Sequence, residues 1–207
     1  MSRMTVQVEE SRRPWWSSRL VFESVVIVAS VALGFLVTEW RQRAADQELS
    51  RRVLTNVIAE MTGNRARLET QITLHRGMLD GLAKLGPPAA GASGWDTITG
   101  SLRGSLSALP LRRAAWDAAV SSGALRLIDY EVAARLSDIY MIQEEAYGST
   151  TRRVGEALFI PESFMPERSH EVTQMFRWLL EELLGQETYM LEVYDEHLPA
   201  LREASTR

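Results

Sequence analysis

Between Glu23 and Trp40 the chain reads ESVVIVASVALGFLVTEW, an apolar run with an acid near each end. No other feature restricts the fold as strongly. A helix that is apolar on every side cannot lie on the surface of a soluble domain; it is either buried or surrounded by lipid. The uncharged core from Ser24 to Thr38 makes about 22 Å of helix at 1.5 Å per residue, short of a hydrocarbon layer of roughly 30 Å. The flanks supply the rest. Trp15, Trp16, Leu20, Val21 and Phe22 extend the apolar surface on one side and Trp40 closes the other, which puts indole rings at both interfaces. Arg19 can snorkel outward. A cleaved signal peptide is the competing reading. It requires small residues after the run, and Thr38, Glu39, Trp40 and Arg41 form a poor cleavage site. The expectation is an uncleaved anchor, with a tail and interfacial segment over 1–19, a transmembrane helix over 20–40 and a helical bundle domain over 41–207.

At 100° per residue Glu23, Ser30 and Gly34 fall on one stripe of this helix. Ser30 and Gly34 form a small-xxx-small pair, which lets a second helix approach closely. Glu23, Ser30 and Gly34, with Trp40 at the closing interface, are therefore the candidate helix-docking residues in the membrane, the partner being a copy of the chain or another protein. The plainer reading lets Glu23 reach the headgroups and leaves the small residues without a role. Charge does not orient the span, because Arg3, Arg12, Arg13 and Arg19 before it balance Arg41, Arg43, Arg51 and Arg52 after it.

No proline interrupts the chain from Trp15 to Thr62, so the helix is expected to leave the membrane unbroken. From Leu54 a stripe follows at alternating spacings of four and three: Leu54, Ile58, Met61, Arg65, Leu68, Ile72, His75, Leu79, Leu82. This is a helix-pairing pattern, and Arg65 and His75 within it favour packing in a bundle over a free two-stranded coil. GPPAAGASG, from Gly86 to Gly94, ends the helix in a turn-rich loop. A short helix is expected from Asp96 to about Leu106. Another should begin at Leu109 and Pro110, with proline in its first turn, and end at Gly123. Asp129 suits the N-cap of the next helix, through Val132, Leu136, Ile139 and Tyr140. After the connector IPESFMPE a final stripe carries Val172, Met175, Phe176, Leu179 and Leu183, then Met190, Val193, Tyr194 and His197, as far as Pro199. No segment alternates with period two, so the fold class is all-α: one transmembrane helix continuing into an extramembrane bundle.

Composition excludes several kinds of chemistry. With 207 residues, 45% apolar and 24% charged, the chain can pack a core and is not a disordered one. Its net charge is −4 and its arginines are scattered, which gives nucleic acid no basic patch. The absence of cysteine removes disulfides, thiolate metal sites and thiol catalysis. His75, His170 and His197 show no ligand spacing, and the Glu-x-x-His pairs of di-iron bundles do not occur. GSLRGSLS, from Gly100 to Ser107, has neither the strand nor the lysine of a phosphate loop. The acid pairs Glu144–Glu145 and Glu181–Glu182 are adjacent, and neighbours in sequence do not share a helix face. No catalytic, cofactor-binding or metal-binding residues are expected.

The segment AWDAAVSSGALRLID, from Ala115 to Asp129, carries a pattern of its own. An indole at Trp116 needs a small neighbour about one turn on, which Ala119 supplies. Ser122 and Gly123 then end the helix tightly and Leu125 returns to the core. Trp116, Ala119, Ser122, Gly123 and Leu125 are thus a packing corner, or alternatively the lining of a partner groove.

On these residues the chain resembles a family of uncharacterised bacterial single-span membrane proteins. In that family an acid opens an anchor helix closed by Trp, as Glu23 and Trp40 do here, and a W-x-x-A-x-x-S-G-x-L segment lies midway along a helical domain, as from Trp116 to Leu125. Members often place Asn-rich residues before the closing Trp, where this chain has Thr38 and Glu39, so any role of that cap does not transfer. The resemblance implies an inner-membrane location with a cytoplasmic N-terminus and a periplasmic bundle. Together these features lead to the expectation of a membrane-anchored, non-catalytic interaction module, sensor-like or a scaffold. The alternatives are an accessory subunit of a larger membrane complex, respiratory or photosynthetic, and an enzyme with an unrecognised site. The expected partners are the lipid bilayer and a protein met through the membrane helix, and not nucleic acid.

Overall fold

A computed structural model describes residues 15–86, 89–101 and 110–206. Among them the chain is helical, with no strand. Six α-helices follow one another: α1 (Trp15–Ala83), α2 (Gly94–Ser101), α3 (Ala114–Ser121), α4 (Tyr130–Ile142), α5 (Ser149–Leu158) and α6 (Ser169–Ser205). A π-helix, Gln143–Gly148, joins α4 to α5. The residues fall into two compact units, the first ending at Gln47 and the second running from Glu48.

In the first unit α1 includes one stretch, near the N-terminus, that is long and apolar enough to cross a membrane. Its 18-residue window has a mean hydropathy of 2.5 and none of it is buried. Two of the hydroxyl side chains of the run bond within their own helix. Ser30 Oγ donates to the carbonyl of Val26 (2.7 Å) and Thr38 Oγ1 to that of Gly34 (2.9 Å), the back-bonding open to Ser and Thr inside a helix.

The second unit is a bundle built on three rods. The buried face of α1 consists of Leu54, Val57, Ile58, Met61, Leu68, Ile72, Met78 and Leu82, with Asn64, Gln71 and His75 among them. It is wider than the expected stripe, because a helix covered from two sides buries about three positions in seven instead of two. Arg65 falls at the edge, paired with Asp195 and Glu69. α6 runs antiparallel to α1: Thr62 meets Arg202, Arg65 meets Asp195, His75 meets Glu187, and the Leu82 carbonyl meets Arg177. The α4–π–α5 rod runs parallel to α1, with Tyr140 reaching Glu60 and Tyr147 reaching Gln71.

α2 begins at Gly94, two residues earlier than expected. The reason is a reciprocal cap: Ser93 N–H donates to Asp96 (3.1 Å) while Asp96 N–H donates to Ser93 Oγ (3.1 Å), the S-x-x-D form of a capping box. The same hydroxyl and amide of Ser93 hold the Asp96 carboxyl below its ordinary range. Gly94 lies hard against α6, for a Cβ there would stand 2.6 Å from Val172 Cβ. The expected continuation to Leu106, most of GSLRGSLS, and Leu109 lie outside the described residues.

Two expected boundaries are corrected. Pro110 does not open a helix; residues 110–113 are irregular and α3 starts only at Ala114, where its first amides find a carboxylate, as described below. Pro199 does not close the last helix, which continues to Ser205. Proline lacks the amide hydrogen for the bond to the preceding turn, but Pro199 is on the exposed side, and Leu198 and Leu201 are buried beside it.

Candidate functional site

The residues expected to dock a second helix sit on an open surface. Glu23, Ser30, Gly34 and Trp40 are all exposed, Trp40 at 70%, and a Cβ at Gly34 would meet nothing within 4 Å. Around them Val25, Ile27, Val28, Leu33, Phe35 and Leu36 are exposed as well. Apolar side chains thus cover the helix on every side, and a shallow concavity lies along Leu20, Val21, Ser24, Val25, Val28 and Ala29, beside the small-residue stripe.

The corner around Trp116 is organised by a residue that the sequence reading did not single out. Glu60 of α1 accepts the N–H of Ala115 (2.8 Å) and that of Trp116 (3.4 Å). These are amides of the first turn of α3, which have no partner inside the helix, and a carboxylate also complements the positive end of the helix dipole. Glu60 further accepts from the Tyr140 hydroxyl (2.8 Å), and Tyr140 stacks on Trp116 with ring centroids 4.9 Å apart and planes 8° from parallel. Burial, and after it the hydrogen bond to Glu60, hold the Tyr140 hydroxyl far above its ordinary range. Trp116 and Ala119 are buried. Ser122 Oγ donates to the carbonyl of Ala118 (2.7 Å), and Gly123 turns the chain at φ +69°, a backbone region open to glycine at no steric cost. Leu125 packs, half-buried, against the core.

A layer of polar groups continues inside the bundle. Asn64 clamps the main chain of Arg112, donating to its carbonyl (2.7 Å) and accepting its N–H (2.8 Å). That carbonyl also accepts from Gln143 Nε2 (3.2 Å), whose Oε1 accepts from the Tyr194 hydroxyl (2.6 Å). One level further, Tyr147 donates to Gln71 (3.0 Å). Next to it His75 Nδ1 lies 2.9 Å from the Glu187 carboxylate. Gln143 and Tyr147 both belong to the π-helix, whose wider turn lets two polar side chains reach inward. Burial pushes the Tyr194 hydroxyl up. Burial, then the Glu187 charge, pushes Tyr147 up to about 12.

An imidazole beside a carboxylate is the pairing used for general base work, but such work needs a substrate within hydrogen-bond reach. His75 is 1% exposed and Glu187 0%, so the pair is closed to solvent and its geometry serves to align α1 with α6. Of the other histidines, His170 lies exposed near the start of α6 and His197 is half-buried near its end. Among the described residues no group of three His, Asp or Glu could hold a metal ion.

In the sequence His75 was visible as a break in an apolar stripe, whereas Glu60, Asn64, Gln71, Gln143 and Glu187 looked like surface residues. The available signal was position: Glu60, Asn64, Gln71 and His75 recur at four, seven and four residues, the period of one helix face. No protein-family model, no curated protein and no solved structure matches this chain.

Proposed function

We propose that this is a single-span protein of a bacterial inner membrane, N-terminus cytoplasmic and bundle periplasmic, whose helical domain works by binding, as a sensor-like module or a scaffold, and not by bond-making. One observation carries the anchor: an all-round apolar helical stretch with mean hydropathy 2.5 and no buried residue. Each large apolar side chain left in water forfeits about 1.5–3 kcal/mol, and a continuous sleeve of them is a surface for lipid or protein. The binding mode draws its support from the sealed His75–Glu187 pair and from polar interior groups whose partners are one another.

Extraction tests the anchor. The full chain should stay with membranes through a high-salt or alkaline wash and dissolve only in detergent; recovery from the salt-washed soluble fraction in a form shortened at its front end ends the proposal. Protease added to intact spheroplasts should remove the bundle, and protection would reverse the orientation.

The accessory-subunit reading is favoured by the open stripe at Ser30 and Gly34, which suits a second span from another protein. Co-purification in mild detergent separates the two. A lone homo-oligomer defeats the subunit reading, and a defined set of co-eluting membrane chains supports it. Unchanged membrane cross-linking in Gly34→Leu and Glu23→Leu would remove the docking role of the stripe in either case.

A further inference from the structure

The chain between α5 and α6 carries large apolar residues outward. Phe159 is 69% exposed, Phe164 50% and Met165 45%. Two prolines fix its path: Pro161 and Pro166 each open a short turn of 3₁₀ helix with φ already set. The hydroxyl of buried Ser163 ties the connector to the end of α5, donating to the Ala157 carbonyl (3.3 Å). Trp95, half-buried on α2, joins the two phenyl rings. Its centroid lies 5.5 Å from Phe159 and 5.8 Å from Phe164, with planes tilted by 41° and 37°, the spacing of favourable aromatic pairs. At roughly 200 Å² for a whole aromatic side chain, the exposed part of Phe159, Phe164 and Met165 amounts to about 300 Å², the size at which a surface patch is often functional.

The residues next to this patch in the chain are acidic. Asp96 follows Trp95, and Glu167 follows Pro166. Glu156 is one turn ahead of Phe159, whose N–H donates to its carbonyl (3.2 Å), and Glu162 stands likewise to Met165 (3.1 Å). Among the described residues none of these four acids is in an ion pair, while the neighbouring bases are engaged elsewhere: Arg168 with Glu171, and Arg153 with the Thr150 hydroxyl (3.0 Å). We propose that the patch binds a short cationic peptide segment of another protein, its apolar side chains on Phe159 and Phe164 and its Arg or Lys side chains toward the acids. Exposed ring faces attract such cations as well. A second copy is disfavoured, because a two-fold contact sets one patch against itself and brings acid to acid. Anionic headgroups meet the same repulsion. A folded domain needs about 800 Å² on each side for a stable interface, more than twice what the patch shows, whereas a short segment does not. This surface deepens the binding reading of the helical domain and rests on it.

The test uses the full chain in nanodiscs of zwitterionic lipid. The probe is a fluorescein-labelled short peptide of alternating Arg and Leu, with alternating Glu and Leu as control, read by anisotropy after subtraction of empty discs. The Arg-Leu peptide should bind saturably and the Glu-Leu peptide about tenfold more weakly or worse. Phe159→Ser, at an exposed position, should weaken binding about tenfold with an unchanged circular-dichroism melt. Glu156→Lys combined with Glu167→Lys should reverse the preference between the peptides, which keeps the test decisive if Phe159→Ser unfolds. Trp178→Ser removes an exposed indole that also has acids nearby, Glu181 and Glu182 on α6, and should leave binding where it was. Equal binding of the two peptides, an unmoved affinity in Phe159→Ser or an equal loss in Trp178→Ser would each overturn the assignment. The chain has no cysteine, so Phe159→Cys carries a single thiol, which should label fully with a water-soluble maleimide. A disulfide-linked dimer would give the patch to a second copy, and protection by the disc would give it to lipid; either result overturns the peptide. A chain that ignores both peptides but co-purifies with partners loses this surface and keeps the binding reading. One that turns over a substrate and still binds the Arg-Leu peptide does the reverse.

Discussion

Two stretches of α1 share a backbone and almost nothing else. Residues 20–40 are apolar around the whole circumference and entirely exposed, whereas the buried face over 54–82 interleaves Leu and Met with Asn64, Gln71 and His75. The first stretch carries its hydrophobicity outward and makes no internal use of it. The second spends fewer apolar residues and buries them almost completely. The contrast shows that hydrophobicity identifies the solvent of a helix, while its polar residues identify its neighbours. The buried Asn64, Gln71 and His75, and half-buried Glu60, each have a specific partner outside α1.

The contrast can be broken most forcefully at Glu187. Glu187→Ala leaves His75 sealed without its partner and should cost about 3–5 kcal/mol, read as a large fall in the melting temperature of the bundle. Replacing both residues with Leu should restore most of the loss, and a double variant as unstable as the single one would show that alignment of α1 with α6 needs the pair itself. Next in size is a matched pair of truncations. Leu68→Ala, at a fully buried position, should cost about 2–5 kcal/mol, while Leu33→Ala, on the exposed sleeve, should leave the bundle's melt where it was. Equal effects would erase the distinction between the two stretches. Gly94→Ala should follow at about 1–3 kcal/mol, since its new methyl must displace Val172 at the root of that side chain; an unchanged melt would show that α2 can slide.

At neutral pH, where all three tyrosines below are protonated in both states, the pH profile is flat, and the effect is confined to strong alkali. Tyr147 titrates near 12 in the folded chain against about 10 for an unfolded tyrosine, and Tyr140 and Tyr194 shift in the same direction. For an acid whose folded pKa is raised, the stabilisation is complete below pH 10 and is lost as pH climbs toward 12. Alkaline unfolding should therefore begin near pH 10, and the phenolate absorbance of these three residues should appear together with loss of helix. Phenolate from Tyr147, taken as the difference from Tyr147→Phe, appearing at pH 10 with full helicity would contradict its burial.

Much of this was legible in the sequence. The anchor-like stretch, the end of α1 before the Gly-Pro loop, the turn at Gly123 and the Asp129 cap, whose carboxylate accepts the N–H of Glu131 (2.9 Å), depend on local chemistry that a short window contains. The start of α3 and the reach of α6 past Pro199 were not legible. Each was settled by a contact far away in the chain: Glu60 supplies the cap some fifty residues before the helix that it starts, and the core holds Leu201 in place beyond the proline. The interior polar layer escaped for the same reason, since Glu60 and Glu187 look like any solvated acid until their partners are known.

The grip of Asn64 on Arg112 has a consequence for how this chain can drift over time. Because the amide reads only main-chain atoms, position 112 can exchange its side chain for almost any other, proline excepted, without loosening the joint. Position 64 has no such liberty. Among descendants of this sequence the two ends of one bond should therefore age at very different rates, with the asparagine persisting beside a neighbour that keeps changing.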